Sequence, residues 1–303
     1  MQYDLIIIGG GPAALTAAIY AGRKLLKTLV LAKELGGQAA RAVGVENYPG
    51  ISKINGVELI FNMEDKAKKT GAEIVTNCEV AKIISKNKNF LLQTNKGNFE
   101  GKTIIIASGK VPRKLNIPGE QELTGHGVAY CATCDAPLFK NKIVIVVGGG
   151  NAALQSAREL SRYAKKIILM ERGKEFAGDA LTIQDLKKDS KIIFETQAEL
   201  LEINGSKSVE SVKCKINNKI KNIKTDGVFV EIGSVPSSDF TPADLKKNSI
   251  GEIIINHQNK STNIPGIFAA GDVTNSLYKQ IIIASGEGAA AALSVYEYLS
   301  EKR

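Results

Sequence analysis

The residues best equipped for chemistry are Cys131 and Cys134, which stand as Cys131-Ala132-Thr133-Cys134. This spacing lets two thiols close into a disulfide and reopen, and a helix starting at the pair would lower a thiolate pKa below the usual value of about 8.5. Two glycine loops bracket the pair. The first, Gly9-Gly10-Gly11-Pro12-Ala13-Ala14, lies far upstream, and the second, Gly148-Gly149-Gly150-Asn151-Ala152-Ala153, follows closely. Loops of this type accept the diphosphate of a dinucleotide. Two dinucleotide sites with a dithiol between them describe an electron relay from a nicotinamide, through a flavin, to a disulfide.

Other readings of the cysteines fit less well. Half of a zinc site needs a second ligand pair, but no other close cysteine pair exists and the only histidines are His126 and His257; no metal is expected. A thioredoxin-like domain also carries CxxC, yet the chain has no tryptophan and the pair sits between nucleotide loops. Cys78 and Cys214 lie in strand-like stretches and read as small buried hydrophobes.

The elements that must position these groups follow from periodicity. Residues 3–8 (Tyr-Asp-Leu-Ile-Ile-Ile) end in an apolar, isoleucine-rich run, as in a parallel strand covered on both faces. The first loop, a helix over Pro12–Lys24 and a strand over Thr28–Ala32 complete a βαβ unit. Gly9 permits the tight bend, Gly11 the close approach of a diphosphate, and Ala14 close packing of helix on strand. Lys142–Val147, the loop positions Gly148, Gly150 and Ala153, a helix over Asn151–Ala164 and a strand over Lys166–Met170 repeat the design. Each half closes alike: Thr103–Gly109 precedes Val111-Pro112, and Gly227–Gly233 precedes Val235-Pro236. Gly266–Asp272 is a further strand, leading to a small-residue helix over Gly286–Tyr298 with no glycine loop of its own. It is assigned to the first half. The expected fold is therefore α/β with two Rossmann-like dinucleotide-binding domains, the nicotinamide domain inserted in the FAD domain. The expected boundaries are 1–113 and 241–303 for FAD, and 114–240 for NAD(P)H with the CxxC.

Bulk properties exclude several classes. Hydrophobic content of 44% and charged content of 23% fit a soluble globular protein, no apolar run approaches a membrane span, and no signal-like segment opens the chain; a cytoplasmic location is expected. The net charge is +9, from 40 Lys and Arg against 31 Asp and Glu. Runs such as Lys66–Lys69 and Lys219–Lys224 read as solvated surface, with steering of an acidic protein partner the sharper alternative. Nucleic-acid binding is not expected, because the basic residues are scattered and only 6% of residues are aromatic.

With these parts in place the chain resembles the low-molecular-weight thioredoxin reductases almost end to end. The matching stretches are Gly9–Ala14, Gly36-Gly37-Gln38, Glu46–Gly50, Ala107-Ser108-Gly109, Cys131–Asp135, Gly148–Ala153, Ala269–Val273 and Tyr278-Lys279-Gln280. Larger relatives such as lipoamide dehydrogenase place their redox cysteines after the first βαβ unit, where this chain has none. The resemblance implies a homodimer with FAD in each subunit. It implies that Gly9, Gly11, Pro12, Ala13, Ala14, Gly37, Gln38, Asn47, Val80, Ser108, Gly109 and Gly271 line the FAD site, that Asp272 binds its ribityl chain, and that Lys279, Gln280 and Ile281 contact the isoalloxazine. A turn aspartate capping a helix is the alternative for Asp272. Gly148, Gly150, Asn151, Ala152, Ala153, Glu171, Arg172 and Gly233 would form the nicotinamide-nucleotide site. By the same resemblance Cys134 faces the flavin, Cys131 attacks the partner's disulfide, and Asp135 supplies and removes the exchange proton, or serves as a first-turn acid as well.

One stretch departs from that family. Its NADPH-using members carry His-Arg-Arg-x-x-x-Arg after the second strand of the nicotinamide domain, where this chain has Glu171-Arg172-Gly173-Lys174-Glu175-Phe176-Ala177. An acid about 20 residues beyond the loop suits ribose hydroxyls and repels a 2′-phosphate, so NADH is expected over NADPH. The alternative is a solvated Glu171, with Arg172 and Lys174 still holding a phosphate. This stretch, with Val230-Glu231-Ile232-Gly233, also resembles the flavoprotein component of alkyl hydroperoxide reductase, which carries an extra N-terminal dithiol region. This chain opens at its first glycine-loop strand, so a separate thioredoxin or glutaredoxin-like acceptor is expected. A ferredoxin donor is disfavoured by the intact second loop, and a redox sensor without turnover by the dithiol.

Overall fold

The computed structural model describes residues 2–42, 44–86 and 89–301. The chain divides into two compact units, one made of residues 1–111 and 235–303, the other of residues 112–234. Both crossings come earlier in the chain than the expected 113/114 and 240/241. The reason is local: each Val-Pro step lies inside a short crossing strand, Lys110–Pro112 or Ser234–Pro236.

The first unit opens with β1 (Gln2–Ile8), α1 (Pro12–Arg23), β2 (Thr28–Leu31), the one-turn α2 (Gly37–Ala40), α3 (Gly56–Lys69) and β3 (Glu73–Val75). An antiparallel meander of β4 (Val80–Lys86), β5 (Asn89–Thr94) and β6 (Gly97–Ile106) follows, before the crossing strand β7 (Lys110–Pro112). The sheet order is β3-β2-β1-β6-β5-β4, with β1, β2, β3 and the end of β6 parallel. Alternation along β1 serves two cores. Leu5 and Ile7 pack with Ala14, Ala17 and Ala21 of α1, whereas Ile6 and Ile8 pack with Phe90, Leu92 and Ile253. Each such buried Leu or Ile contributes about 1.5–3 kcal/mol. The lysines of the Lys66–Lys69 run lie on the solvent side of α3, while Ala67 is buried, and Lys68 and Lys69 pair with Glu64 and Asp65 one turn back.

The second unit begins with β8 (Val128–Ala129), the one-turn α4 (Ala132–Asp135) and a 3-10 turn over Ala136–Phe139. Its βαβ core is β9 (Ile143–Val147), α5 (Asn151–Leu160) and β10 (Lys166–Met170), followed by α6 (Ala180–Leu186) and β11 (Ile192–Glu195). An antiparallel sheet of β12 (Ala198–Asn204), β13 (Ser211–Ile216) and β14 (Lys219–Lys224) packs on one face, and β15 (Gly227–Val230) completes the parallel sheet β11-β10-β9-β15-β8 before the crossing strand β16 (Ser234–Pro236). Val144 and Val146 face α5 and α6; Ile145 and Val147 face the antiparallel sheet. The Lys219–Lys224 run is an edge strand, where exposed lysines discourage pairing with another chain. Cys78 and Cys214 are buried.

Back in the first unit, β17 (Ile267–Ala269) pairs in parallel with the end of β6, and Gly271–Val273 forms a 3-10 turn ahead of α7 (Ile281–Ser300). The helix starts a turn before the expected Gly286, because the β-branched Ile281-Ile282-Ile283 masks its beginning. Gly288 of α7 touches the Ala13 carbonyl, so close that a Cβ would fall 2.1 Å from that oxygen. Among the described residues no helix is long and apolar enough to cross a membrane.

Candidate active site

The two glycine loops share one geometry. Gly9 has φ +126, and a Cβ there would fall 2.2 Å from the Ala107 carbonyl oxygen; Gly148 has φ +140, and its Cβ would fall 2.4 Å from the Glu231 carbonyl oxygen. Only glycine accepts both the dihedral and the crowding. Gly11 and Gly150 are the N-caps of α1 and α5, with no side chain capping either helix. A Cβ on Gly11 would meet only the Gly36 oxygen, at 3.9 Å, and one on Gly150 would meet nothing within 4 Å. Each unit therefore presents a helix start that no side chain caps, beneath open space; the first-turn N–H groups, Ala13 and Ala14 in α1 and Asn151 to Ala153 in α5, take no acceptor among the described residues, which fits the diphosphate of a dinucleotide.

The residues expected on the FAD side of the first unit lie as follows. Gln38 Nε2 donates to the Lys110 carbonyl at 2.7 Å, Asn47 Nδ2 donates to Gln280 Oε1 at 3.2 Å, and Ser108 Oγ donates to the Ser237 carbonyl at 2.6 Å. Gly37 begins α2 at φ +50, and Gly109 has φ +69. Val80 packs into the core, 7% exposed. Ile281 starts α7, whose N-cap is Gln280. Gly271 has φ +76, and a Cβ on it would fall 2.9 Å from the Ala13 Cβ, which places Asp272 beside the first loop. The Asp272 carboxylate accepts no hydrogen bond among the described residues, and burial raises its pKa against the pull of Lys279 and Lys110. An acceptor without a donor suits a polyol hydroxyl and gives no support to the capping alternative.

Lys279 is turned back onto this turn, donating to the carbonyls of Asp272 at 3.3 Å and Thr274 at 2.5 Å and pairing with Glu252 at 3.3 Å. Burial and the neighbouring Lys110 lower its pKa. Lys110 pairs with Glu252, both almost buried. Burial opposes ionisation of Glu252, but hydrogen bonds from Lys110 and Asn248 and the charges of the two lysines outweigh it and lower its pKa. Sequence reasoning missed this cluster, because Lys110 and Glu252 are far apart in the chain. It also missed Glu287, which accepts from the Gly271 N–H at 2.8 Å, takes a short hydrogen bond from Ser276 and pairs with Lys260 at 3.4 Å. The signal was present: Glu287 is an acid set among the small residues Ala284 to Ala292 of the helix.

In the second unit the side chain of Glu171 bends over the loop. Its Oε1 accepts from the Gly173 N–H at 2.6 Å, and a Cβ on Gly149 would fall 2.2 Å from its Oε2. The segment that follows folds down too: Ala177 and Gly178 donate to the Gly149 carbonyl at 2.9 and 3.0 Å, and Asn151 Oδ1 accepts from the Asp179 N–H at 2.7 Å. Ala152 and Ala153 form the first turn of α5, with Ala153 fully buried. Arg172 and Lys174 are exposed. Gly233, at φ +94, accepts from the Arg113 N–H at 2.9 Å.

Cys131 and Cys134 form a disulfide with Cα atoms 5.4 Å apart. Cys131 is the N-cap of α4. That helix is a single turn, so local N–H groups rather than a long dipole must stabilise a thiolate. Burial raises the Asp135 carboxyl to about 6, into the range where it can exchange a proton near neutrality. Among the described residues no cluster could hold a metal ion.

The profile of the pyridine nucleotide-disulphide oxidoreductase family matches residues 3–288. The chain is 38% identical over 301 residues to an alkyl hydroperoxide reductase component of Staphylococcus epidermidis, covering 98% of this chain and 59% of that protein. It is 36% identical over 300 residues to a Bacillus subtilis protein named NADH dehydrogenase, covering 98% and 58%. The chain thus spans less than two thirds of the length of these relatives. The structure of thioredoxin reductase from Streptococcus pyogenes matches at a TM-score of 0.93 and 35% identity, over 99% of each chain.

Proposed function

We propose, from the premise that this chain belongs to the pyridine nucleotide-disulphide oxidoreductase family, that it is an FAD-dependent reductase of protein disulfides, acting on thioredoxin or a thioredoxin-like protein. The observation that carries the proposal is the Cys131–Cys134 disulfide, built on a unit with one dinucleotide loop and accompanied by a unit with another. The similarity to thioredoxin reductases over the whole chain supports the choice of acceptor. When bound, FAD supplies two-electron chemistry, taking a hydride equivalent from NAD(P)H and passing electrons to the disulfide. We assign its diphosphate to the start of α1, its ribityl hydroxyls to Asp272, and its ring to the region of Asn47, Lys279, Gln280 and Ile281. The nicotinamide nucleotide is assigned to the start of α5.

The chain's own residues then do the following. Reduction opens the Cys131–Cys134 bond and leaves a thiol and a thiolate. Cys131, the N-cap residue, attacks the acceptor disulfide as thiolate, forming a mixed disulfide; Cys134 resolves it, and the reduced acceptor leaves. Asp135, near pKa 6, gives a proton to the departing sulfur and recovers one in the next cycle.

NADH is the proposed donor. Glu171, bent over Gly149, stands where an acid binds ribose hydroxyls and opposes a 2′-phosphate. A second reading rests on the similarity to the alkyl hydroperoxide reductase component: the acceptor then belongs to a peroxide-reducing system. The test is steady-state oxidation of NADH and NADPH by the purified flavoprotein with thioredoxin, or with a dithiol carrier of a peroxidase, as acceptor. Turnover with thioredoxin that is lost in Cys134→Ser supports the main reading. Turnover with the peroxidase carrier alone selects the second.

A further inference from the structure

Glu231, from the Val230–Gly233 stretch, has no part in the chemistry assigned above, yet it meets the CxxC turn. Its side chain accepts a hydrogen bond from Ser156 Oγ at 2.6 Å, and the Ala132 N–H, one residue beyond Cys131, is directed at the same carboxyl. Three segments converge there: the turn bearing the cysteines, the helix that follows the second glycine loop, and the end of β15. Their join is tight. The Glu231 N–H donates to the Val147 carbonyl at 2.8 Å, and its own carbonyl lies where a Cβ on Gly148 would be. Thr133 Oγ1 adds a second tie from the turn to α5, donating to Glu159 Oε2 at 2.8 Å. Ser156 and Ala132 are buried.

We propose that Glu231 is a positioning residue of the redox centre: clamped by Ser156 and set against the Ala132 N–H, it fixes the start of the Cys131–Cys134 turn, and its charge sets the pH at which the reduced pair releases a proton. The proposal rests on the reading of Cys131 and Cys134 as the redox-active pair. Burial pushes the Glu231 carboxyl up to about 7, the hydrogen bonds from Ser156 and Ala132 hold it lower than burial alone would, and the charge of Glu159 on α5 opposes its ionisation. The other ionisable groups on the CxxC segment are Asp135 and the two thiols. Near neutral pH the carboxyl is therefore partly neutral. A thiolate formed beside it raises the cost of its negative charge, and its own charge in turn disfavours the thiolate. Reduction by a hydride equivalent, two electrons and one proton, breaks the S–S bond to give one thiol and one thiolate. Any further proton needed to form the full dithiol comes from solvent, and Glu231 governs the pH at which it is taken up.

The test is the rate of alkylation of Cys131 and Cys134 by iodoacetamide between pH 5 and pH 9. The flavoprotein is reduced with dithiothreitol and the sites are resolved by mass spectrometry. Glu231→Gln keeps an oxygen for Ser156 and Ala132 but removes the charge. Its alkylation midpoint should fall by about one pH unit, the size of a near-neighbour charge effect. Ser156→Ala, which makes Glu231 harder to ionise, should shift the midpoint the same way by less, and serves alone if Glu231→Gln does not fold. A Ser156→Ala midpoint unchanged from wild type, or a Glu231→Gln midpoint unchanged in a folded protein, overturns the proposal. Chemical reduction makes the titration independent of the electron relay. Failure of the relay reading would show separately, as no gain of thiols when NADH or NADPH is added.

Discussion

Glu171 lies over Gly149, with its Oε1 on the Gly173 N–H at 2.6 Å and its Oε2 where a Cβ on Gly149 would be. The carboxylate thereby closes over the loop it follows, and in the proposed reading it meets the ribose of the nicotinamide nucleotide. Glu171→Arg replaces repulsion of a 2′-phosphate by attraction. The ratio of kcat/KM for NADPH to that for NADH should rise at least tenfold, about 1.4 kcal/mol of transition-state binding. An unchanged ratio contradicts the role given to Glu171.

Asp135 couples stability to pH with a definite sign. Burial raises its carboxyl from 3.8 to about 6, so the folded protein holds this proton more tightly than the unfolded chain. The stabilisation is complete below pH 3.8 and is lost as pH rises through about 6, where the buried carboxyl must ionise. The difference is at most roughly 3 kcal/mol. Asp135→Asn should therefore melt higher than wild type at pH 8 while turning over the disulfide acceptor more slowly. The pH dependence of kcat should lose its inflection near 6. A variant that melts lower at pH 8 contradicts the assignment.

The equivalent glycines of the two loops separate the two nucleotide sites. Gly9→Ala forces a Cβ against the Ala107 carbonyl at a positive φ, and Gly148→Ala does the same against the Glu231 carbonyl. The first change should release FAD, read as a fall in the flavin's visible absorbance per mole of protein. The second should leave the yellow colour and abolish reduction by NADH. The opposite pairing would reverse the assignment of the loops.

Glu287 anchors the turn that presents Asp272. Glu287→Ala leaves the Gly271 N–H without its partner and removes the counter-charge of the partly buried Lys260. The loss should be about 3–5 kcal/mol, read as a lower melting temperature, with weakened FAD retention. Asp272→Ala should weaken FAD retention with little effect on the melting of the flavin-free protein. A Glu287→Ala protein that melts and binds FAD as wild type does would exclude the anchoring role.

Much of the arrangement was legible because it depends on local pattern. The loop glycines Gly9 and Gly148 sit where the strand's apolar run stops, and the alternation of Leu5 to Ile8 already divides two core faces. The CxxC pair was readable from residue type and spacing. The residues missed were those whose meaning is a contact across the chain: Lys110 with Glu252, Glu287 with Gly271, and Glu231 with Ser156. Nothing in the neighbourhood of Lys110 announces a buried cation; it becomes one only because Glu252 arrives from a distant segment. The start of α7 was hidden by three isoleucines that favour strand, and tertiary packing overrode that preference.

The relay from NAD(P)H to the Cys131–Cys134 disulfide is tested most directly by anaerobic reductive titration of the purified flavoprotein, counting reducing equivalents taken up and thiols formed. Wild type should take up twice the equivalents of the Cys131→Ser/Cys134→Ser variant, gaining alkylatable thiols at Cys131 and Cys134 as the flavin bleaches. Equal uptake by the two proteins, with no thiols appearing, would contradict the account.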